Sequence, residues 1–164
     1  MTTRSIPIRG LVAGPFSGKA LEREVMSRLS LVPDAEYVGP LYGSAKANFL
    51  ERIDVLLFPT KYINEAEPLT ILEALQRGVP VIAWDRGCIR ELISRQEGLL
   101  VERMSNFVSA AMIRLLEWNR CPQIFQSCSA AAADKFRYLQ SQYATHLGEL
   151  LQSLPGDNRS QRGK

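Results

Sequence analysis

Residues 54–84 read DVLLFPTKYINEAEPLTILEALQRGVPVIAW, and this stretch decides the fold. It begins with one apolar run, Asp54–Pro59, and ends with another, Val79–Trp84. Short unbroken apolar runs beside proline are typical of strands that are buried on both faces of a parallel sheet. Between the runs, Pro68 sits where a helix accepts proline, in its first turn, and we expect the helix to continue to about Arg77. The stretch therefore predicts a strand–helix–strand unit.

The N-terminal part of the chain repeats this alternation. Ile6–Gly14 and Tyr37-Val38 predict two further strands, and a Gly-Pro turn ends each of them. Helical spacing follows each strand, and Ser44 is the predicted N-cap of the second helix. Glu24 lies four residues before Arg28, which favours a surface ion pair. The predicted inward-facing positions of the two helices are Leu21, Val25, Leu29, Ala45, Phe49 and Ile53.

The C-terminal part becomes helical after a short helix near Cys88–Ile93 and a last strand at Leu99–Val101. Two longer helices follow, because apolar residues recur there every three or four positions. The positions that mark them are Phe107, Ala111 and Leu115 in the first, and Phe136, Leu139, Tyr143, Leu147, Leu150 and Leu154 in the second. We expect one α/β domain over residues 1–152, a Rossmann-like doubly wound parallel sheet with C-terminal helices, and a disordered tail over 153–164.

Composition narrows the function classes. The chain has 164 residues, enough for one domain with its own core. Its net charge of +3 is small, and Lys and Arg are spread along the chain rather than gathered into one stripe. This distribution argues against nucleic-acid binding.

Cysteine and histidine usage argues against a metal centre. Cys88, Cys121 and Cys128 are odd in number and form no CxxC pair, and the single histidine is His146. These spacings build neither a disulfide framework nor a zinc site, so we expect reduced thiols in a cytoplasmic protein without a metal or other cofactor. We expect no secretory signal, because Met1–Arg9 lacks a long apolar core followed by a small-residue cleavage site, and no run approaches membrane-spanning length.

The predicted helix after Pro68 carries the chemistry. In a parallel sheet, ligands bind beyond the carboxyl ends of the strands, and this helix begins there. The free N–H groups of Leu69 and Thr70, together with the positive end of the helix dipole, predict an anion site that could hold a diphosphate. Glu65 and Glu73 flank that site, and their carboxylates are suited to sugar hydroxyls.

The order of several sequence blocks resembles one enzyme family. The chain between about Leu11 and Val101 looks like the C-terminal domain of GT-B-fold retaining glycosyltransferases, the large group 1 (family 4) type related to sucrose synthase and bacterial mannosyltransferases. The matching blocks are Gly39–Leu41, Ile53–Thr60, Glu65–Ala74, Gly78–Ala83, Gly87–Ile93 and Gly98–Val101. The resemblance implies transfer of a hexosyl group from a nucleoside diphosphate sugar of the UDP or GDP type to an acceptor hydroxyl, with retention and without a metal.

The resemblance also implies roles for particular residues. Glu73 matches the glutamate that binds the ribose hydroxyls of the nucleotide. Glu65 matches the catalytic-site glutamate beside the transferred sugar. Leu69 and Thr70 match the positions whose backbone amides bind the diphosphate.

Other positions either extend the resemblance or depart from it. Leu41 and Lys46 fall where the family's loop lines the base and ribose. Ala66 and Pro68 replace two family glycines, which removes a flexible turn and one amide donor. The family's usual first strand and helix, with an Arg and a Lys for the leaving diphosphate, have no counterpart before Ile6, and neither does the acceptor-binding N-terminal domain. We therefore expect this chain to be incomplete or inactive alone.

The expected partners follow from this. They are the nucleotide-sugar donor, an acceptor sugar or lipid-linked sugar, and a missing N-terminal domain or partner chain, with no nucleic acid. Unpaired strand edges and apolar helix faces are also compatible with a homodimer. A peripheral position at the inner membrane face is expected only from the family's habits.

The sequence also bears on three other functions. A non-catalytic nucleotide-binding or protein-interaction module that keeps this fold remains open. A P-loop at Ala13–Ala20 is rejected, because one residue is missing between its glycines and Ala20 replaces the magnesium-binding hydroxyl. A dehydrogenase is also rejected, because no G-x-G-x-x-G motif follows the first strand.

Overall fold

The computed structural model describes residues 8–62 and 66–153. Within these two ranges, five strands form two parallel sheets. In the first sheet, β1 (Gly10–Ala13) pairs with β2 (Ala35–Gly39), and α1 (Lys19–Leu29) connects them. In the second sheet, β4 (Val81–Trp84) lies between β3 (Leu56–Phe58) and β5 (Gly98–Val101).

Helices connect and cover the second sheet. The first of them, α2 (Gly43–Leu50), precedes β3, and α3 (Leu69–Gln76) joins β3 to β4. The short α4 (Ile89–Leu92) joins β4 to β5. The chain then continues in two helices, α5 (Phe107–Arg120) and α6 (Pro122–Ser153). The predicted α/β class, with parallel strands and flanking helices, is confirmed, and the strands are divided between two sheets.

The core lies on both faces of the second sheet. Val81 and Ala83 point to the side covered by α2, α3, α4 and part of α6, whereas Ile82 points to the side covered by α5 and the start of α6. All three side chains are fully buried. This alternation is the expected result of a strand that packs on both faces. The prediction of a fully buried strand over Val79–Trp84 is therefore correct for Val81–Ala83, whereas the strand begins two residues later than predicted and Trp84 is only partly buried.

The prediction that Asp54–Pro59 is a strand buried on both faces is wrong in its burial. The strand is confined to Leu56–Phe58, no residue of the run is fully buried, and Asp54, Leu57 and Pro59 are exposed. Leu57 is 47% exposed, although it pairs in register with the fully buried Ile82. The apolar cluster beneath α5 and α6 includes Ile82 and the neighbouring Val55 but not Leu57. An apolar run reveals that a residue can be buried, whereas the helix above it decides whether it is.

Several local predictions need correction. Ser44 is not the N-cap of α2, because the helix already begins at Gly43 and Tyr42 occupies the cap position without a side-chain hydrogen bond. Ala45 is exposed, and Leu50 is the buried residue of this helix. Pro68 precedes the first turn of α3 as its N-cap residue. The surface pair Arg28–Glu24 is present at 2.9 Å, as predicted. Residues 154–164, and with them most of the predicted tail, lie outside the described residues.

Candidate nucleotide-sugar site at the start of helix α3

The start of α3 offers free backbone donors. Its N-cap residue, Pro68, has an extended backbone and supplies no side-chain cap. Its carbonyl accepts from the amides of Ile71 and Leu72, which are the third and fourth residues of the helix. Among the described residues, the amides of Leu69 and Thr70 donate to no backbone acceptor. These two N–H groups, at the positive end of an eight-residue helix, can bind an anion.

A lysine from α2 reaches the same turn. The Nζ atom of Lys46 lies 3.1 Å from Oγ1 of Thr70, to which it donates a hydrogen bond, and 2.5 Å from Oε2 of Glu73. Oε2 is fully buried, and the ammonium meets it outside hydrogen-bonding geometry, so the contact is an ion pair. The side chains of Lys46 and Glu73 are 28% and 40% exposed. The carboxylate is therefore held at the rim and still open to solvent on one side.

The structure thus brings together four of the six predicted site residues. Leu69, Thr70 and Glu73 share the first two turns of α3, and Lys46 joins them from α2. Leu41 lies in the loop before α2 and is partly buried. Its apolar side chain can offer packing contacts but no hydrogen bond. Glu65, the predicted catalytic residue, lies outside the described residues, and its role stays a prediction.

One contact at this rim was missed by the sequence analysis. Tyr143 of α6 donates a hydrogen bond to the carboxylate of Glu67, next to the N-cap of α3. The two residues are 76 positions apart, so no local pattern could have revealed the pair. The hydrogen bond to Glu67 raises the pKa of Tyr143 above 10.0, and burial and the negative charges of Glu67 and Glu91 act in the same direction.

A second missed contact joins the loops after β3 and β4. The guanidinium of Arg86, two residues after Trp84, donates to the carbonyl oxygen of Lys61 at 3.3 Å. Arg86 thus contacts the loop after β3 at Lys61, and Tyr143 contacts the residues before α3 at Glu67.

The described residues contain neither a metal-binding cluster nor a membrane-spanning helix. In 8–62 and 66–153 there is no group of three or more His, Cys, Asp or Glu side chains placed to hold a metal ion. Nor does any helix in these two ranges combine the length and the apolar composition needed to cross a membrane.

Comparison with solved structures identifies the fold. Sucrose-phosphate synthase from Thermosynechococcus elongatus is similar over 87% of this chain and 37% of its own, with a TM-score of 0.70 and 21% identity. Anabaena HepE, solved with UDP-glucose, is similar over 86% of this chain and 41% of its own, at a TM-score of 0.61 and 19% identity. The C-terminal domain of the group 1 glycosyltransferase LpcC from Francisella tularensis is similar over 73% of this chain and 62% of its own, at 0.59 and 19%.

The chain therefore spans less than half the length of the first two of these proteins. Its fold is that of the C-terminal domain of GT-B glycosyltransferases. A search of curated protein sequences finds no match. The family model for "Glycosyl transferases group 1" matches residues 3–117, which is well over half of the 164 residues. The chain belongs to the group 1 glycosyltransferase family.

Proposed function

We propose that this chain is the donor-binding domain of a glycosyltransferase. The enzyme would transfer a hexosyl group from a nucleoside diphosphate sugar to an acceptor hydroxyl, with retention and without a metal. The observation that carries the proposal is the combination of two free amides, Leu69 and Thr70, with the Glu73 carboxylate one turn further along the same helix. The amides suit the diphosphate, and the carboxylate suits a pair of ribose hydroxyls.

The mechanism requires stabilisation of the leaving group. When the bond between the sugar and the diphosphate breaks, negative charge grows on the diphosphate oxygens. In this proposal, the Leu69 and Thr70 amides and the positive end of the α3 dipole would lie beside these oxygens and would stabilise the charge without reorganisation. Glu65 would then orient the sugar, and Glu73 would fix the nucleoside. Retention and metal independence are proposed from the resemblance of the sequence blocks.

The acceptor belongs to another part of the enzyme. The similar structures extend well beyond the region that this chain matches, so we propose that an N-terminal domain or a partner chain holds the acceptor sugar or lipid-linked sugar. UDP is the first nucleotide to test, because HepE was solved with UDP-glucose and a pneumococcal O-GlcNAc transferase of similar fold with UDP and GlcNAc. A cytoplasmic location, with contact to the inner membrane face, accompanies this proposal.

One observation favours a second function, a non-catalytic module with this fold. Glu67 places a carboxylate beside the N-cap of α3, and its negative charge opposes a diphosphate. Such a module would use the domain for protein contacts and bind nucleotides weakly or not at all.

Calorimetric titration with UDP, GDP and ADP separates the two functions. The proposal predicts micromolar binding of one nucleotide, unchanged by EDTA and weakened at least about tenfold by Glu73→Gln, because the variant loses the charge that the ribose hydroxyls meet. Glu149→Gln is the matched control, since Glu149 is an exposed residue of α6. Absence of binding by all three nucleotides would contradict the proposal and favour the module.

A further inference from the structure

Lys46 occupies an unusual position between two helices. It is the fourth residue of α2, yet its Nζ atom contacts two side chains of α3, Oγ1 of Thr70 at 3.1 Å and Oε2 of Glu73 at 2.5 Å. Thr70 is also the residue whose amide is free at the start of α3. The ammonium therefore lies beside both the proposed ribose carboxylate and the proposed phosphate donors.

The ion pair holds the positively charged Lys46 ammonium next to the proposed anion site. In the structure, Lys46 and Glu73 neutralise each other. A ribose whose hydroxyls donate hydrogen bonds to Glu73 would give the carboxylate new partners in place of Lys46. An ammonium has three donors, so Lys46 could then turn one or more of them toward an oxygen bound at the Thr70 amide. At 28% exposure, its side chain is open enough to move and shielded enough for its charge to count.

We propose that Lys46 is the residue that makes this site select nucleoside diphosphates over uncharged nucleosides. It does so by exchanging its Glu73 contact for a diphosphate oxygen when the nucleoside binds Glu73. This inference rests on the proposed donor-binding function. It differs from a purely structural role, in which Lys46 only holds Glu73 in place and the phosphates gain nothing from it.

The test compares UDP with uridine. Titrations of the full ¹⁵N-labelled chain, followed by NMR, give dissociation constants into the millimolar range for both ligands. Lys46→Met should weaken UDP binding by about tenfold or more, because a charge-assisted hydrogen bond is lost, and should change uridine binding by less than about threefold. Lys46→Arg, which keeps the charge, should restore most of the UDP affinity.

Controls separate this role from a loss of structure. Lys135→Met is the matched control, because Lys135 lies on α6 over the ring of Tyr138 and has no ion pair with α3 among the described contacts. Glu73→Gln should weaken UDP and uridine alike. If Lys46→Met unfolds, Lys46→Gln gives the same comparison with a polar side chain.

Two results would overturn the inference in distinguishable ways. Equal weakening of UDP and uridine by Lys46→Met would show that the lysine only positions Glu73, and the donor-binding function would stand. If the wild-type chain binds neither ligand, the proposed function fails, and the inference fails with it.

Discussion

Two regions of this molecule have the same alternation of strands and helices but bury very different fractions of their apolar side chains. The N-terminal unit, β1–α1–β2 (residues 10–39), contributes no residue to the buried core, and α1 has no buried side chain. The core block, α2 to α6 (residues 43–153), contains all the core residues found in the described part of the chain, from Leu50 to Ala132. In the N-terminal unit, Val12, Leu21 and Met26 are 38%, 44% and 46% exposed.

The difference shows that a regular pattern does not by itself produce a stable packing unit. The N-terminal unit is held by its sheet pairing and by the hydrogen bond from Tyr37 to the carbonyl oxygen of Gly14, at 2.7 Å. The core block has helices on both faces of its sheet. Since apolar burial is the main favourable term in folding, we expect global stability to depend on the core block. Four substitutions test this expectation, and the first three have a matched partner in the N-terminal unit.

The largest effect is expected for Gly98→Ala. A Cβ atom at Gly98 would lie 2.8 Å from the carbonyl carbon of Val81 and 2.9 Å from its nitrogen, so β4 and β5 would have to separate. We expect a loss of about 4 kcal/mol or more in the free energy of unfolding, measured by urea denaturation. In the matched variant, Gly10→Ala, the new methyl meets Ala35 at 3.4 Å, and the loss should stay below about 1 kcal/mol. Similar losses would contradict the distinction between the regions.

A smaller effect is expected for Leu75→Ala. Leu75 is fully buried in α3, and its truncation leaves a cavity that should cost about 3 kcal/mol. Leu21→Ala in α1 removes a side chain that is 44% exposed and should cost less than about 1 kcal/mol. Thermal and urea unfolding of both variants provide the comparison. A loss for Leu21→Ala as large as that for Leu75→Ala would mean that α1 is packed more tightly than its exposure indicates.

Ser129→Ala should have an effect of about 1 kcal/mol. The Ser129 hydroxyl donates to the carbonyl of Gly78 at 2.6 Å and ties α6 to the end of α3 in a partly buried place. Ser30→Ala, in the N-terminal unit, breaks an exposed local contact to the Ser27 carbonyl and should change stability by less than about 0.5 kcal/mol. The difference between the two unfolding free energies is the quantity to measure, and its absence would count against the α3–α6 contact.

The smallest effect concerns pH. Because the pKa of Tyr143 is raised above 10.0 in the folded chain, its hydrogen bond to Glu67 contributes stability that is complete below pH 10 and is lost as the pH rises through the folded pKa. Both side chains are exposed, so the contribution should remain below about 1 kcal/mol. Comparison of wild type with Tyr143→Phe across that pH range isolates it. A stability difference that does not change with pH would contradict the assignment.

Periodicity and turn residues were enough to predict the class of the fold. The apolar run Val79–Trp84 predicted a buried strand, and the structure has one at Val81–Trp84, because burial on both faces requires apolar residues at successive positions. The exposure of Leu57 was not predictable, since it depends on which helix covers it. The division into two sheets has the same cause, because strand pairing depends on contacts between distant residues. Ser44 failed as an N-cap because the helix starts two residues earlier than a cap at Ser44 would place it.

The candidate site was predictable to a similar extent. The free amides of Leu69 and Thr70 follow from a helix that begins after a proline, and the structure has them. The pairing of Lys46 with Glu73 joins residues 27 positions apart on different helices, as a comparison of their numbers shows (73 − 46 = 27). Only the packing of α2 on α3 brings them together. Tyr143 and Glu67 were missed for the same reason.

Hydrogen exchange of the backbone amides, measured with and without UDP, tests the central claim most directly. In the free chain, the N-terminal unit should exchange faster than the strands and α3 of the core block. UDP should slow exchange at the start of α3, around Leu69 and Thr70, and in α2 around Lys46, and should leave the N-terminal unit unchanged. Slowing that is confined to the N-terminal unit, or no slowing anywhere, would contradict a nucleotide site at the start of α3.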